Sequence, residues 1–243
     1  MAMDFSEICS RISENLQKVN FEIETACLAA ARDPASVRLV AVTKYAEWDW
    51  VRALSQEHVS FGENRPQQLA ERTQLEGLCQ PAEWHLIGQL QRNKARIAVE
   101  HAALIHSVDT LRLLQRIGSV ATECDRLTHV LLQVNVSGEE SKSGFSPEQL
   151  RDFFPEICEV RSVRIDGLMT MAPAGASESE TYECFCGLRQ LRDTLRETPA
   201  AFRAEYALPE LSMGMSRDFA SAIRAGATIV RIGSRLYEGL NTD

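Results

Sequence analysis

Apolar positions recur at three- and four-residue steps near the start of the chain: Phe5, Ile8, Ile12, Leu16, Val19 and Ile23, with Cys27 and Ala30 extending the stripe. That period predicts an amphipathic helix. Asp33-Pro34 should end it, because proline cannot continue a helix. Beyond it the pattern changes to short, nearly continuous apolar runs separated by helical patterns. The runs are Arg38–Thr43, Val59–Phe61, Trp84–Gly88, Leu104–Val108, His129–Val136, Val163–Met171, Glu210–Met213 and Thr228–Gly233. Continuous rather than alternating runs suit parallel strands buried on both faces.

Start and stop signals sit between the runs. Asn64 precedes Arg65-Pro66, Asp109 precedes Thr110, and Ser146 and Ser177 each open a capping box. Ser216 is placed to cap a helix over Arg217–Ala225, with Gly226 at its left-handed end. Eight strand–helix units would consume nearly all of the 243 residues, since such barrels take roughly 250. The expected fold is therefore α/β: a single (β/α)8 barrel of the TIM type with an extra N-terminal helix, residues 1–243 forming one domain. A doubly wound open sheet is the alternative this pattern leaves.

Composition changes the picture only by exclusion. A net charge of −8 speaks against a general nucleic-acid binder, which carries a basic face. No apolar stretch is long enough for a membrane span or a secretory signal. The seven cysteines are scattered without a CxxC pair, as expected of reduced thiols in a cytoplasmic protein, and no histidine spacing suggests a metal. The GEESKSG segment (Gly138–Gly144) lacks the glycine that a phosphate loop needs before its lysine, so it reads as a solvated loop. No GxGxxG follows any strand.

Polar residues gather where the strands should end, which is the active face of such barrels. Lys44 closes the run Leu39–Thr43; desolvation there would favour a neutral amine able to attack an aldehyde. The same lysine could instead reach solvent or pair with Glu63. LSMGMS (Leu211–Ser216) and VRIGS (Val230–Ser234) turn at glycine after the last two strands. That is the usual phosphate position in these barrels, although two ordinary tight turns would look the same.

These residues resemble a known family. LVAVTK (Leu39–Lys44), FGENRPQ (Phe61–Gln67), WHLIGQLQRNK (Trp84–Lys94) and HSVD (His106–Asp109) match it, as do QVNVSGEESKSG (Gln133–Gly144) and IDGLMTMAP (Ile165–Pro173). LSMGMSRDFASAI (Leu211–Ile223) and VRIGSRLYEG (Val230–Gly239) complete the set. The chain is thereby identified as a member of the pyridoxal phosphate homeostasis proteins, relatives of the barrel domain of alanine racemase. Arg65-Pro66 and Leu86 depart from the usual pattern, which bears on the shape of the mouth near Asn64.

The resemblance implies an alanine-racemase-like barrel of fold type III that binds pyridoxal 5′-phosphate as an aldimine on Lys44. It implies that Arg231 faces the pyridine nitrogen, and that Ser216, Gly233 and Ser234 cradle the phosphate. Asn64 and His85 would line the ring, and Met213 would pack against cofactor or core. The implied role is a carrier or buffer in vitamin B6 and amino-acid homeostasis. Its recipients would be pyridoxal-phosphate-dependent apoenzymes, and its form a monomer or weak dimer. It would not be an enzyme, since the chain stops at Asp243 without the second domain that supplies racemases with their opposite acid. Two alternatives stand beside this: a small racemase using Tyr45, His85 or Asp109, and an interaction protein whose loops alone matter.

Overall fold

A computed structural model describes residues 3–139, 142–203 and 206–240. Glu140 and Ser141, inside the segment read as a solvated loop, lie outside the described residues, as does Asp243. The long α1 (Phe5–Ala29) comes first, opened by a capping box in which Asp4 and Glu7 exchange side-chain-to-backbone bonds. Its buried stripe is the expected one from Ile8 to Cys27, while Phe5 stays exposed. The helix stops short of the proline. Ala31 turns left-handed at φ 52°, and Arg32 N–H returns to the Cys27 carbonyl at 2.9 Å, a Schellman closure. Pro34 instead opens a 3₁₀ turn capped by Asp33.

Then β1 (Arg38–Val42), α2 (Trp48–Leu54), β2 (Ser60–Glu63), α3 (Pro66–Gln74), β3 (Glu83–Leu86) and α4 (Ala95–His101) alternate. They are followed by β4 (Leu104–Val108), α5 (Leu111–Glu123), β5 (Thr128–Gln133), α6 (Pro147–Cys158) and β6 (Val163–Met169). The run ends with α7 (Glu178–Arg196), α8 (Pro199–Arg203), β7 (Glu210–Ser212), α9 (Phe219–Ala225), β8 (Ile229–Ile232) and a 3₁₀ turn at Ser234–Tyr237. The strands pair in chain order and all in parallel, and β8 returns to β1 with Val40 opposite Arg231. The sheet is a closed barrel, which excludes the open sheet. Closure removes both edges and buries β2, β4 and β8 along their whole length.

Three expected caps move by one or two residues. Arg65, not Asn64, stands at the N-cap of α3 and makes no side-chain cap. Thr110, not Asp109, caps α5. Asp218, not Ser216, precedes α9, its carboxylate already accepting Met215 N–H at 2.5 Å. The capping boxes at Ser146 and Ser177 form as expected, and Gly226 closes α9 at φ 109°.

The first helix locks the turn after β8. Asn15, its one buried amide, donates to the Leu236 and Glu238 carbonyls at 3.2 and 2.9 Å, and Arg235 clasps Glu22. Within the barrel, Val40, Leu104, Leu131, Met169 and Ile229 form an apolar cluster separate from the larger core between strands and helices.

Candidate functional site

Lys44 follows β1 by two residues on a short loop to α2. What holds that loop is a buried carboxylate beneath it. Glu63, at the end of β2, accepts the Thr43 hydroxyl at 2.5 Å and faces Arg72 Nε at 3.5 Å. Arg72 in turn donates to the Ala46 carbonyl at 2.5 Å. Burial raises the Glu63 carboxyl above its usual range, opposed by the Thr43 bond and by Arg72. Glu63 is therefore engaged with Thr43 and Arg72 rather than with Lys44. Lys44 itself is exposed, its Nζ 5.0 Å from the ring centre of Tyr45. The burial expected at this strand end stops at Thr43, whose N–H still bonds the Gly62 carbonyl, because the chain turns at Lys44-Tyr45 and closes with Ala46 N–H on the Thr43 carbonyl.

Lys44 opens on a cavity of about 620 Å³ at the C-terminal ends of the strands, within the size range of small-molecule sites. Val42, Ile87, Met171 and the ring of Tyr237 give it apolar walls, and Asn64 adds polar atoms. Asn64 is pressed in place by Gly88: a Cβ at that glycine would fall 2.1 Å from the Asn64 carbonyl oxygen and 2.2 Å from Oδ1. Only glycine permits that approach. Opposite, the loops after β7 and β8 meet where Ser234 donates to Ser216 Oγ at 3.3 Å, with Gly233 between strand and turn. Among the described residues the Ser216 N–H has no protein acceptor, so with the Ser216 and Ser234 hydroxyls this corner presents donors.

The floor is Arg231, 4% exposed. Its guanidinium donates from Nη1 to Ser212 Oγ at 2.6 Å and from Nη2 to the Thr170 carbonyl at 3.1 Å. Both acceptors are neutral. Burial lowers its pKa to about 10, with Asp218 working the other way, so it remains a cation at neutral pH. A buried cation hydrogen-bonded only to neutral groups favours an electron-rich atom above it.

Six residues singled out from the sequence therefore line one cavity: Lys44, Asn64, Ser216, Arg231, Gly233 and Ser234. Two do not. Met213 is fully buried in the core, and its neighbour Met215 reaches the cavity instead. His85 lies inside the barrel below the cavity, 2% exposed, its ring bonded to His106 and Ser60. The reason is register: His85 is mid-strand, one residue before the end of β3, where side chains point into the barrel interior. Of the acids considered for catalysis, Tyr45 lines the cavity, whereas Asp109 and His85 do not. Tyr237, not anticipated, closes one wall by stacking on Trp50 at 5.8 Å.

The sequence profile of the alanine racemase N-terminal domain matches residues 13–241. A pyridoxal phosphate homeostasis protein of Pseudomonas aeruginosa is 39% identical over 233 residues, 94% of this chain and 95% of its own length. Another, from Aquifex aeolicus, is 38% identical over 233 residues, 94% of this chain and 96% of its own. Among solved structures, PipY of Synechococcus elongatus with pyridoxal phosphate bound superposes with a TM-score of 0.77 at 35% identity, covering 93% of this chain and 99% of that one.

Proposed function

Because this chain belongs to the pyridoxal phosphate homeostasis proteins, we propose that its mouth cavity holds pyridoxal 5′-phosphate as a Schiff base on Lys44. The observation that carries the reading is convergence: an exposed amine, a donor-rich corner and a buried guanidinium open on one cavity. These match the aldehyde, the phosphate and the ring nitrogen of the cofactor in kind. Lys44 supplies the amine, while Ser216, Gly233 and Ser234 face the phosphate. Val42, Ile87 and Asn64 flank the ring, and Arg231 faces its nitrogen.

When bound, the cofactor supplies an electrophilic aldehyde and, if its ring is protonated, an electron sink. Arg231 works against that protonation, since a fixed cation disfavours a second positive charge beside it. The protein is therefore read as a carrier or buffer in vitamin B6 and amino-acid homeostasis rather than as a catalyst. Its exposed Lys44 suits loading and release, with apoenzymes of the cytoplasm as recipients and a monomer or weak dimer as the working form. Among the described residues no helix is long and apolar enough to cross a membrane.

The test is direct. Protein incubated with pyridoxal phosphate should gain a visible band; borohydride should abolish the band and leave the cofactor on the peptide containing Lys44. A label on Lys94 or Lys142 would overturn the assignment. Tyr45 at the mouth keeps one enzymatic reading worth measuring. Interconversion of amino-acid enantiomers above about 1 s⁻¹, the low end of ordinary turnover, and its loss in Lys44→Ala, would make the protein a racemase.

A further inference from the structure

Beneath the cavity the barrel interior is not wholly apolar. From Arg231 on β8 a file of polar side chains runs through Ser212 on β7, crosses to His106 on β4, and continues through His85 on β3 to Ser60 on β2. The separations are 2.6 Å from Arg231 Nη1 to Ser212 Oγ and 2.8 Å from Ser212 Oγ to His106 Nδ1. They continue at 2.8 Å from His106 Nε2 to His85 Nδ1 and 3.2 Å from His85 Nε2 to Ser60 Oγ. Ser212 and His106 are fully buried, His85 is 2% exposed, and Ser60 at the lower rim is 7% exposed. Val40, Leu104, Leu131, Met169 and Ile229 fill the rest of the interior.

We propose that this file is a hydrogen-bonded column of one polarity, Arg231→Ser212→His106→His85→Ser60, and that His106 and His85 act through it as positioning residues for Arg231. The link to the cofactor rests on the reading above, in which Arg231 faces the ring; the polarity does not.

The direction follows from what each group can do. Arginine only donates, so Ser212 Oγ accepts at that end. The Ser212 hydroxyl hydrogen then needs an acceptor, and among the described residues its recorded neighbour is His106 Nδ1. An orphaned hydroxyl in a dry interior is costly. His106, accepting at Nδ1, carries its hydrogen on Nε2 when neutral and gives it to His85 Nδ1. His85 is then fixed in the same tautomer and donates to Ser60. There the hydroxyl sits at the rim, where it can turn to solvent. The reverse polarity would aim two donors at Ser212 and strand its hydrogen at the most enclosed point of the column.

In this polarity a proton added to His85 would set its Nδ1–H against His106 Nε2–H across the 2.8 Å contact, and one added to His106 would set its Nδ1–H against the Ser212 hydroxyl hydrogen. Burial lowers both histidines, His85 to about 3, so both stay neutral. The column thus gives a buried cation, beside its bond to the Thr170 carbonyl, a neutral acceptor at Ser212 whose orientation is not lost to protonation near neutral pH. The guanidinium is held at one height and tilt below the cavity.

The polarity is tested on the apoprotein by long-range ¹⁵N–¹H spectra of a histidine-labelled sample. Neutral rings protonated on Nε2 at both His85 and His106 are expected; a ring protonated on Nδ1, or a charged ring, would overturn it. The positioning role is tested by equilibrium dialysis with pyridoxal phosphate and by pH titration of its visible band. His106→Leu should weaken binding by up to about tenfold, as loss of one buried neutral hydrogen bond does. It should also move the band's titration by about one pH unit, as displacement of a neighbouring charge does. His106→Asn, whose amide oxygen can accept from Ser212, should restore most of both. If His106→Leu does not fold, Ser212→Ala, a loss of one atom, should give the same two changes. Wild-type binding and titration in a folded His106→Leu or Ser212→Ala protein would overturn the role. Failure of the wild-type protein to bind pyridoxal phosphate would sink the cofactor reading while leaving the polarity to the apoprotein spectra.

Discussion

Two cations reach the same cavity from adjacent strands, and they are held in opposite ways. Lys44, beyond β1, is exposed, and a contact with the Tyr45 ring is the interaction its ammonium makes among the described residues. Arg231, on β8, is buried, with two of its N–H groups bonded inside the barrel. A group that must form and release a bond to a ligand benefits from freedom. A group that sets the charge beneath a ring benefits from having none. The fold provides both by placing one residue just past the strand end and the other within it.

The difference can be broken first with acid. His85 is pushed down to about 3 by burial, then by Arg38 and by His58, and His106 is lowered well below its ordinary value. A folded-state value below the unfolded one gives stability that is complete above about pH 6.5 and is lost as pH falls, because the unfolded chain binds protons that the barrel refuses. Two such rings should cost roughly 4 kcal/mol of apoprotein stability between pH 6.5 and about pH 5. Urea unfolding across that window measures it, and the double variant His85→Asn/His106→Asn should flatten the slope. A wild-type profile that is already flat would mean that the interior takes up protons freely.

Removing each cation from the apoprotein is the next largest effect. Arg231→Ala removes the donor to Ser212 Oγ and to the Thr170 carbonyl and leaves a void, a loss of about 2–4 kcal/mol. Lys44→Ala, at an exposed position, should stay within about 0.5 kcal/mol of wild type. Equal costs in denaturant titrations would abolish the contrast.

Ser216→Ala sharpens the comparison at smaller scale. Because Asp218 rather than Ser216 stands at the start of α9, the apoprotein should unfold within about 0.5 kcal/mol of wild type. The gain from ligand, about 2.7 kcal/mol at a hundredfold excess over the dissociation constant, should shrink. A thermal shift series with pyridoxal phosphate separates the two; an undiminished gain would remove Ser216 from the phosphate corner.

How much of this was legible in the residues depends on range. The apolar runs announced all eight strands, since a strand buried on both faces must be apolar along its length. The mouth was legible because strand ends and glycine turns are local features, and six of the residues they pointed to do share one cavity. Caps were harder: Asp109-Thr110 offers two capping side chains in succession, and only the backbone decides that Thr110 takes the role. Met213 and Met215 likewise differ only in which side of a short strand's exit they occupy. The polar column was the least visible, because its bonds join residues as far as 106 positions apart. A signal existed all the same. His106 at the centre of the buried run Leu104–Val108 is a polar group at a buried position, and buried polar groups have partners.

The clasp between α1 and the chain's far end has a consequence for timing. Asn15 and Glu22 hold the turn that carries Tyr237 and Glu238, and both of those residues wall the cavity. During synthesis α1 emerges and waits, while its partners leave the ribosome 221 and 223 positions later. Translation proceeds at roughly 5–20 residues per second, so the barrel's opening strands exist for many seconds beside an unfinished pocket. A reactive aldehyde met in that interval finds Lys44 without the turn that completes the wall. The cavity is thereby walled only once the chain has grown past Tyr237 and Glu238.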